Sequence, residues 1–222
     1  MKVALVKYGY IIRNSLIASF GLLFLTGCSV FGIRTTEEPK YIVIKQQGDI
    51  QLREYSDYVV AETTVVGDFS EAGDVSFRRL FGYISGKNQG NRKIDMTAPV
   101  LARSDNNESG EKLEMTAPVV ASPVNNGWTF AFVLPAGYTL DNAPIPTSPE
   151  ISIKVVDSRR VAALEYTGSW DERLFSNQSK NLYAWISENK LKAVSEPRVA
   201  GYDPPWTLPF LRRNEVLIDV GP

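Results

Sequence analysis

Histidine is absent from the 222 residues of this chain, and cysteine occurs once, as Cys28. Ser-His and Cys-His nucleophile pairs are therefore excluded, as is any metal site that depends on imidazole. A single cysteine also excludes an internal disulfide. Neither sign of charge is in excess, since the chain has 24 Lys and Arg residues and 25 Asp and Glu residues. A chain balanced in this way lacks the basic surface of nucleic-acid-binding proteins, so we expect no nucleic-acid partner.

Long hydrophobic runs are also lacking. The apolar run at 15–25 is shorter than the roughly 20 residues that a membrane-spanning helix needs. Three basic residues precede this run, and Leu-Thr-Gly-Cys follows it at 25–28. This order resembles the signal peptide of bacterial lipoproteins, in which cleavage leaves the cysteine as a lipid-bearing N-terminus. The resemblance implies a leader at 1–27, a lipidated tether at 28–39 and a folded domain at 40–222.

The residue after the cysteine bears on the location of such a protein. Ser29 stands where lipoproteins retained in the inner membrane carry Asp, so we expect lipid anchoring in the outer membrane of a bacterial envelope. Loss of the leader would leave a net charge of about −4. The alternative is a short anchor that is not cleaved, with Cys28 unmodified.

Apolar and polar residues alternate in several segments of the remaining chain. Residues 42–52 predict a hairpin that turns at Gly48, and residues 59–65 keep the period of two of a half-buried strand. The same alternation predicts strands at 128–134, 151–156, 161–166 and 215–220. Three prolines predict a loop at 143–149, because proline removes a backbone donor and fixes φ.

Two parts of the sequence repeat one order of strand, glycine and helix. Residues 80–85 of the first helix align with 182–187 of the second, and the preceding matches are Gly67 with Gly168, Phe69 with Trp170, and Glu71 with Glu172. Capping boxes from Asp68 and from Ser169 predict that each helix begins directly after its glycine. In the first helix, one apolar face is predicted from Phe77, Leu80, Phe81 and Ile84, with Gly86 at the end. The repeat predicts an α+β domain with two pseudo-symmetric halves, a barrel-like antiparallel sheet, two outer helices and a cleft between the halves.

A ten-residue stretch, KIDMTAPVLA at 93–102, is nearly repeated as KLEMTAPVVA at 112–121. The polar residues between the copies predict that they form two strands of one hairpin, with Pro99 and Pro118 at strand ends. Met96 and Met115 would then be staggered by about three residues, on the order of 10 Å at ~3.3 Å per residue, which disfavours joint ligation of one ion. We interpret both methionines as apolar residues packed under the sheet, with ligand contact as the alternative.

The chain resembles the SOUL/haem-binding protein family at residues 93–100 and at Phe-Val-Leu-Pro, 132–135, followed by Tyr138. The resemblance is most specific in Tyr-Asp-Pro-Pro-Trp at 202–206 with Arg-Arg-Asn-Glu-Val at 212–216. The likeness runs from about residue 41 to residue 218. It implies a distorted antiparallel β-barrel flanked by two helices and built from two similar halves. It also implies haem or another tetrapyrrole as ligand. Because histidine is absent, haem would be held by Tyr or Met, or by burial in an apolar cleft with basic residues near its propionates.

Candidate ligand-binding residues lie mainly near the C-terminus. Arg212 and Arg213 suit propionates because guanidinium groups pair with carboxylates, and the alternative is an ion pair with Glu215 that fixes the last strand. Tyr202 and Trp206 would wall an aromatic pocket, or else pack on the core around a rigid turn. The candidate set is Tyr202, Trp206, Arg212, Arg213, Met96 and Met115, with Cys28 as the lipidation site.

The sequence therefore predicts a lipid-anchored, non-enzymatic protein that binds haem or a related tetrapyrrole in an apolar cleft. Its partners would be that small molecule and the membrane. Two other classes fit the same residues: an envelope scaffold or interaction module without haem, and a small-molecule enzyme on the same two-halved fold with Glu or Tyr as base. A hemin titration separates the binding protein from the scaffold.

Overall fold

The computed structural model of the protein describes residues 36–90, 110–204 and 206–221. Within these ranges the α-helices are α1, Phe69–Ile84, and α2, Glu172–Glu188. The strands are β1 Tyr41–Gln47, β2 Ile50–Tyr55, β3 Tyr58–Val66, β4 Asn88–Gln89, β5 Val119–Val124, β6 Gly127–Val133, β7 Ile145–Pro146, β8 Ser152–Val156, β9 Arg159–Tyr166, β10 Lys192–Ala193, β11 Arg198–Gly201 and β12 Asn214–Gly221.

Ten of these strands form one sheet in the order β1-β2-β9-β12-β11-β5-β6-β3-β8, with β10 beside β12. All the pairings are antiparallel, and β4 pairs separately with β7. The sheet curls strongly into a distorted half-barrel that carries two helices. The predicted α+β class and barrel-like sheet are therefore confirmed.

The strand order also shows the two halves that the sequence repeat predicted. In the first half the chain order is β3, α1, β4, β5 and β6, and in the second half it is β9, α2, β10, β11 and β12. β3 pairs with β6 as β9 pairs with β12, and β5 meets β11 where the halves join. β2, which precedes the first half, pairs with β9 of the second half, and β8, which precedes the second half, pairs with β3 of the first half. Each half therefore contributes one strand that pairs with the other half. The halves consequently share one continuous sheet.

The two helices bury equivalent residues against equivalent strands. α1 packs on β3 and β6, and α2 packs on β9 and β12. Leu80 and Leu182 are both fully buried, and Ile84 and Ile186 are 5% and 3% exposed. The aligned Tyr83 and Trp185 are buried as well. The alignment of the two helices is thus confirmed by their packing.

The start of α1 agrees with its predicted capping box, whereas the start of α2 does not. The Asp68 side chain accepts the Glu71 amide at 2.9 Å, as expected for an N-cap. In α2 the N-cap is Asp171, whose carboxylate accepts the Leu174 amide at 2.9 Å, so the prediction of Ser169 was wrong. The strand before α2, β9, ends at Tyr166, and Gly168 follows it with a positive φ of 136°. The Asp171 carboxylate accepts a backbone N–H more strongly than the Ser169 hydroxyl would, so α2 begins two residues later than predicted.

Two further expectations are corrected by burial. The predicted apolar face of α1 is only half covered, because Phe77 and Phe81 are 37% and 47% exposed. Met115 is 41% exposed and lies in irregular chain before β5, so it is not packed under the sheet. Pro118 does mark a strand end, because β5 begins at Val119. Met96, Pro99 and the rest of the first ten-residue copy lie outside the described residues, as does Cys28.

The core is divided between the two faces of the sheet. One cluster lies under each helix, while a third contains Tyr55, Ala163, Tyr202 and Leu217 on the opposite face. Among the described residues, no helix is long and apolar enough to cross a membrane. All described elements lie between residues 36 and 221, so a chain of residues 29–222 retains each of them.

Candidate functional site

A cleft of about 470 Å³ opens between α1, strands β5 and β6, and the segment that links β11 to β12. This volume falls within the roughly 300–1,000 Å³ of small-molecule sites. Its apolar walls are Phe69, Phe77, Val119, Phe130, Phe132 and Trp170. Polar side chains lie around them, namely Ser70, Asp74, Arg78, Asp203 and Arg212. An apolar interior with a few polar groups is typical of a small-molecule site.

The aromatic walls are held together by their own ring contacts. Phe69 lies 5.8 Å from Phe130 and 5.6 Å from Trp170 between ring centroids, and Phe130 stacks on Trp170 at 6.3 Å. On the other side, Phe77 meets the edge of Phe132 at 5.7 Å. These separations match the favourable range of aromatic pairs. The rings therefore form a preorganised surface.

Trp170 is fixed by a close approach to the backbone of β11. A Cβ atom on Gly201 would lie 2.2 Å from Cζ2 of Trp170, so only glycine leaves room for the indole there. The indole Nε1 donates to Oδ1 of Asn214 at 2.8 Å, and the side-chain Nδ2 of Asn214 donates to the Gly168 carbonyl at 2.9 Å. Trp170 thus connects the start of α2 to the cleft beside α1.

Two arginines lie at the cleft, one on each side. Arg78 is exposed on α1, and Arg212 is half-buried at the end of the segment opposite. Nε of Arg212 donates to the Thr207 carbonyl at 2.7 Å, which fixes the side chain. Asp203 also lines the cleft, and its Oδ2 accepts the Arg213 amide at 2.7 Å.

Behind this wall, on the opposite face of the sheet, lies a buried ion network centred on Glu215. The Glu215 carboxylate is fully buried and accepts two hydrogen bonds from Arg53, at 2.7 and 2.8 Å. Arg213 donates to the same carboxylate at 2.7 Å and Tyr202 at 2.7 Å. Arg213 also pairs with Glu38 at 2.9 Å, and its guanidinium lies 3.8 Å from the centre of the Tyr202 ring. We call Arg53, Tyr202, Arg213 and Glu215 the Glu215 network.

The network shifts the pKa of its members in ways that favour the ion pair. Burial alone would raise the pKa of Glu215, but hydrogen bonds from Arg53, followed by the charges of Arg53 and Arg213, hold it below its ordinary value. Burial opposes the charge of Arg53, yet the hydrogen bonds and charge of Glu215 raise the Arg53 pKa. Burial, and then the charge of Glu215, raise the pKa of Tyr202 well above 10.0. The carboxylate and both guanidinium groups are consequently charged at neutral pH.

The structure divides the predicted C-terminal residues between these two places. Arg212 lines the cleft, whereas Arg213 forms the ion pair with Glu215. Tyr202 lies in the network, because alternate residues of an extended segment face opposite sides and its neighbours Gly201 and Asp203 face the cleft. Tyr202 was expected to wall an aromatic pocket, but its hydroxyl donates to Glu215 behind the cleft. For Arg213, the structure shows the alternative to propionate binding, which is the ion pair with Glu215.

The other candidates lie elsewhere. Trp206 is 63% exposed on the surface and does not line the cleft, and Met115 is likewise outside its walls. The described wall residues include neither Tyr nor Met, the two side chains expected to ligate haem iron without histidine. Within the described residues there is also no cluster of Asp, Glu, Cys or His that could hold a metal ion. The described walls therefore supply no axial ligand of these kinds.

Sequence reasoning missed the aromatic side chains that form the cleft. A signal for two of them existed, since Phe69 and Trp170 occupy matching positions of the internal repeat and meet at 5.6 Å. Phe130 and Phe132 lie on one side of the predicted strand at 128–134 and also had the required spacing. Arg78 gave no signal beyond an exposed position on a helix.

Comparison with known proteins gives the family. The sequence profile described as SOUL heme-binding protein matches residues 36–106 and 103–219. Heme-binding protein 1 of Xenopus tropicalis is 29% identical over 197 residues, or 85% of this chain and 93% of that protein. Heme-binding protein 1 of Xenopus laevis is 27% identical over 165 residues, covering 74% and 80%.

Among solved structures, a chain in the cryo-EM structure of the EcmrR-DNA complex in EcmrR-RPo has a TM-score of 0.54 at 13% identity. The match covers 97% of this chain and 69% of that chain, and it supports the fold alone. The two profile matches, by contrast, extend over nearly all of the described residues of both halves. The chain belongs to the SOUL heme-binding protein family.

Proposed function

We propose that this protein binds haem or a related tetrapyrrole in the cleft beside α1, by apolar burial and without histidine ligation. The observation that carries the proposal is an aromatic cleft of about 470 Å³ with an arginine on each side. The names of the frog relatives support the same ligand class. The protein is accordingly a binding protein rather than an enzyme.

The macrocycle would lie against the aromatic walls, and its propionates would lie near the two arginines. Phe130 and Trp170, which stack on each other, line the cleft together with Phe77 of α1. Arg212 is held in place by the Thr207 carbonyl, so little side-chain freedom is lost when a carboxylate binds. Arg78 is exposed and contributes mainly charge. Because the described walls supply no Tyr or Met ligand, the bound pigment should lack the spectrum of strong axial coordination.

We also propose that the mature protein is lipid-anchored at Cys28. The support is the order of basic residues, apolar run and Leu-Thr-Gly-Cys in the first 28 residues. Several acyl chains would make attachment effectively stable, since each buried methylene contributes about 0.8 kcal/mol. Replacing Cys28 with Ser should abolish labelling by a radioactive fatty acid in cells, and unchanged labelling would refute the anchor.

Hemin titration of residues 29–222 tests the ligand. We expect a saturable shift of the Soret band with one molecule bound per chain. Gly73→Leu should weaken binding at least tenfold, because a Cβ at this α1 position is already 3.4 Å from the Phe130 ring and the added carbons enter the cleft. Unfolding curves identify any variant that fails to fold.

The arginines are tested by a matched pair of variants. Arg78→Gln combined with Arg212→Gln should weaken hemin binding more than it weakens binding of a porphyrin without carboxylates. Lys180→Gln is the control, because Lys180 precedes Leu182 on α2 as Arg78 precedes Leu80 on α1, away from the cleft. Absence of a saturable shift would instead favour a scaffold, and wild-type affinity in Gly73→Leu would show that hemin binds outside this cleft.

A further inference from the structure

Three large apolar side chains are exposed together on the segment that links β11 to β12. Trp206 is 63% exposed, Leu208 is 41% exposed and Phe210 is 68% exposed. We call residues 206–211 the Trp206 loop. The loop contains no charged residue. Clustered exposed apolar side chains of this size mark a surface that contacts another apolar phase.

Hydrogen bonds within the Trp206 loop and to neighbouring residues hold its backbone in place. Thr207 is 1% exposed, its amide donates to the Pro204 carbonyl at 3.0 Å, and its carbonyl accepts from Arg212 at 2.7 Å. Within the loop, the Leu211 amide donates to the Leu208 carbonyl at 2.8 Å, closing a short 3-10 turn. The carbonyl of Pro209 accepts the Gly168 amide at 3.0 Å, which joins the loop to the start of α2. The apolar side chains are therefore displayed by an ordered backbone.

The described N-terminal end of the chain lies at the base of this loop. Glu38 forms an ion pair with Arg213, two residues after the loop ends. Glu37 is fixed next to it, since its carbonyl accepts the Ala117 amide at 2.9 Å. About ten residues separate Cys28 from Glu38, and at ~3.6 Å per residue they reach at most roughly 35 Å. A lipid on Cys28 would hold the base of the Trp206 loop within that distance of the bilayer.

We propose that the Trp206 loop inserts its apolar side chains into the surface of a phospholipid bilayer. The choice of a bilayer rests on the lipid anchor of the proposed function, which limits the distance between loop and membrane. Tryptophan favours the membrane-water interface, and neighbouring Leu and Phe side chains add apolar area below it. Because the loop carries no charge, binding arises from apolar burial and should change little with salt.

Docking of this loop also sets the position of the cleft. Asp203 precedes the loop and Arg212 follows it, and both line the cleft. An inserted Trp206 loop would thus bring one wall of the cleft close to the bilayer surface. An apolar ligand dissolved in the membrane would then lie near the site that binds it.

Vesicle binding of residues 29–222 tests the proposal without the lipid anchor and without hemin. The probe is vesicles of phosphatidylcholine, and the measurements are cosedimentation and tryptophan emission. We expect the wild type to bind, with emission shifted to shorter wavelength and binding retained in high salt. Phe210→Ser should lower partitioning about tenfold, as expected for withdrawing one large apolar side chain from lipid.

Two control variants give the experiment its specificity. Val194→Ser removes an apolar side chain that is 59% exposed and lies near Asp219, roughly 17 Å along β12 from Asn214 at ~3.4 Å per residue. This variant should bind vesicles like the wild type. Trp206→Phe keeps the apolar surface, so it should also bind while the emission shift disappears. Unfolding curves of all variants should coincide, because the replaced side chains are exposed.

Each outcome decides the proposal. Equal losses in Phe210→Ser and Val194→Ser, an emission shift that survives in Trp206→Phe, or a wild type that does not bind vesicles would overturn it. A failed hemin titration would refute the proposed ligand without affecting vesicle binding. Unchanged fatty-acid labelling of the Cys28 variant would refute the lipid anchor alone. The three results are therefore distinguishable.

Discussion

Replacing Glu215 with Gln removes the carboxylate that holds two guanidinium groups behind the cleft. The fully buried Glu215 side chain accepts from Arg53, Arg213 and Tyr202. Glutamine has nearly the same volume, but it turns one acceptor oxygen into an NH₂ group that points at donors. Arg53 is 2% exposed and would lose its counter-ion. Arg213 would keep Glu38, so most of the destabilisation should come from Arg53.

The expected loss follows from the known behaviour of buried pairs. Removing one partner of a buried ion pair costs about 3–5 kcal/mol, because the remaining charge is neither solvated nor paired. For a chain of this size, a loss of that magnitude lowers Tm by roughly 6–20 °C. Urea and thermal unfolding of residues 29–222, followed by circular dichroism, measure both quantities. A combined Arg53→Met and Glu215→Gln variant should lose much less than the two single losses together.

Glu62→Gln is the matched control for this prediction. Glu62 pairs with Lys154 at the surface, where the two side chains are 20% and 57% exposed. Exposed pairs contribute about 0–1 kcal/mol, so this variant should unfold close to the wild type. If Glu215→Gln is no less stable than Glu62→Gln, the Glu215 network does not stabilise the sheet and the argument fails.

The same variant predicts a dependence on pH. Since the folded pKa of Glu215 lies below its ordinary value of 4.5, its stabilisation is present above that value and is lost as pH falls through the folded pKa. The difference in unfolding free energy between wild type and Glu215→Gln should be constant from neutral pH to about pH 5. It should shrink below pH 4.5. A difference that stays constant into acid would contradict the shift.

Three further variants test the local structure. Asp171→Ala removes the N-cap of α2 and should lower the unfolding free energy by about 1 kcal/mol in urea unfolding, while Ser169→Ala should leave it nearly unchanged. A larger loss in Ser169→Ala than in Asp171→Ala would contradict the observed start of α2. Gly201→Ala should displace Trp170, which should lower the unfolding free energy by roughly 1–3 kcal/mol and weaken hemin binding. Wild-type hemin binding in this variant would show that the indole does not shape the cleft. Because the folded pKa of Tyr202 is raised, its stabilisation is present below pH 10.0 and is lost as pH rises. Tyr202→Phe should therefore show a smaller loss of unfolding free energy than the wild type between about pH 8 and about pH 11.

Much of the fold could be read from local sequence signals. The hairpin at Gly48 and the strand at 59–65 appear where the period of two indicated them. The internal repeat also identified the equivalence of α1 and α2, because a duplicated pattern of glycine, aromatic and helix is preserved in both copies. The exchange of β2 and β8 between halves could not be read in this way. It depends on pairings between strands far apart in sequence, which no local periodicity encodes.

The candidate site was less predictable than the fold. Arg212 and Arg213 are adjacent in sequence and chemically alike, yet one lies at the cleft and the other pairs with Glu215. Which face each one takes depends on the register of β12, and a shift by one residue would exchange them. Arg53, the main partner of Glu215, is 162 residues away and was not identified at all.

The link between β11 and β12 nevertheless follows a simple rule. Gly201 and Asp203 face the cleft and Tyr202 faces the network, so one extended stretch serves both sides of the sheet. Arg212 and Arg213 repeat this alternation where the link returns to the sheet. The buried ion network therefore fixes the two ends of the same link whose other residues shape the cleft. This arrangement explains why a segment rich in aromatic and basic residues points to a ligand site, although Tyr202 and Arg213 hold the wall in place from behind.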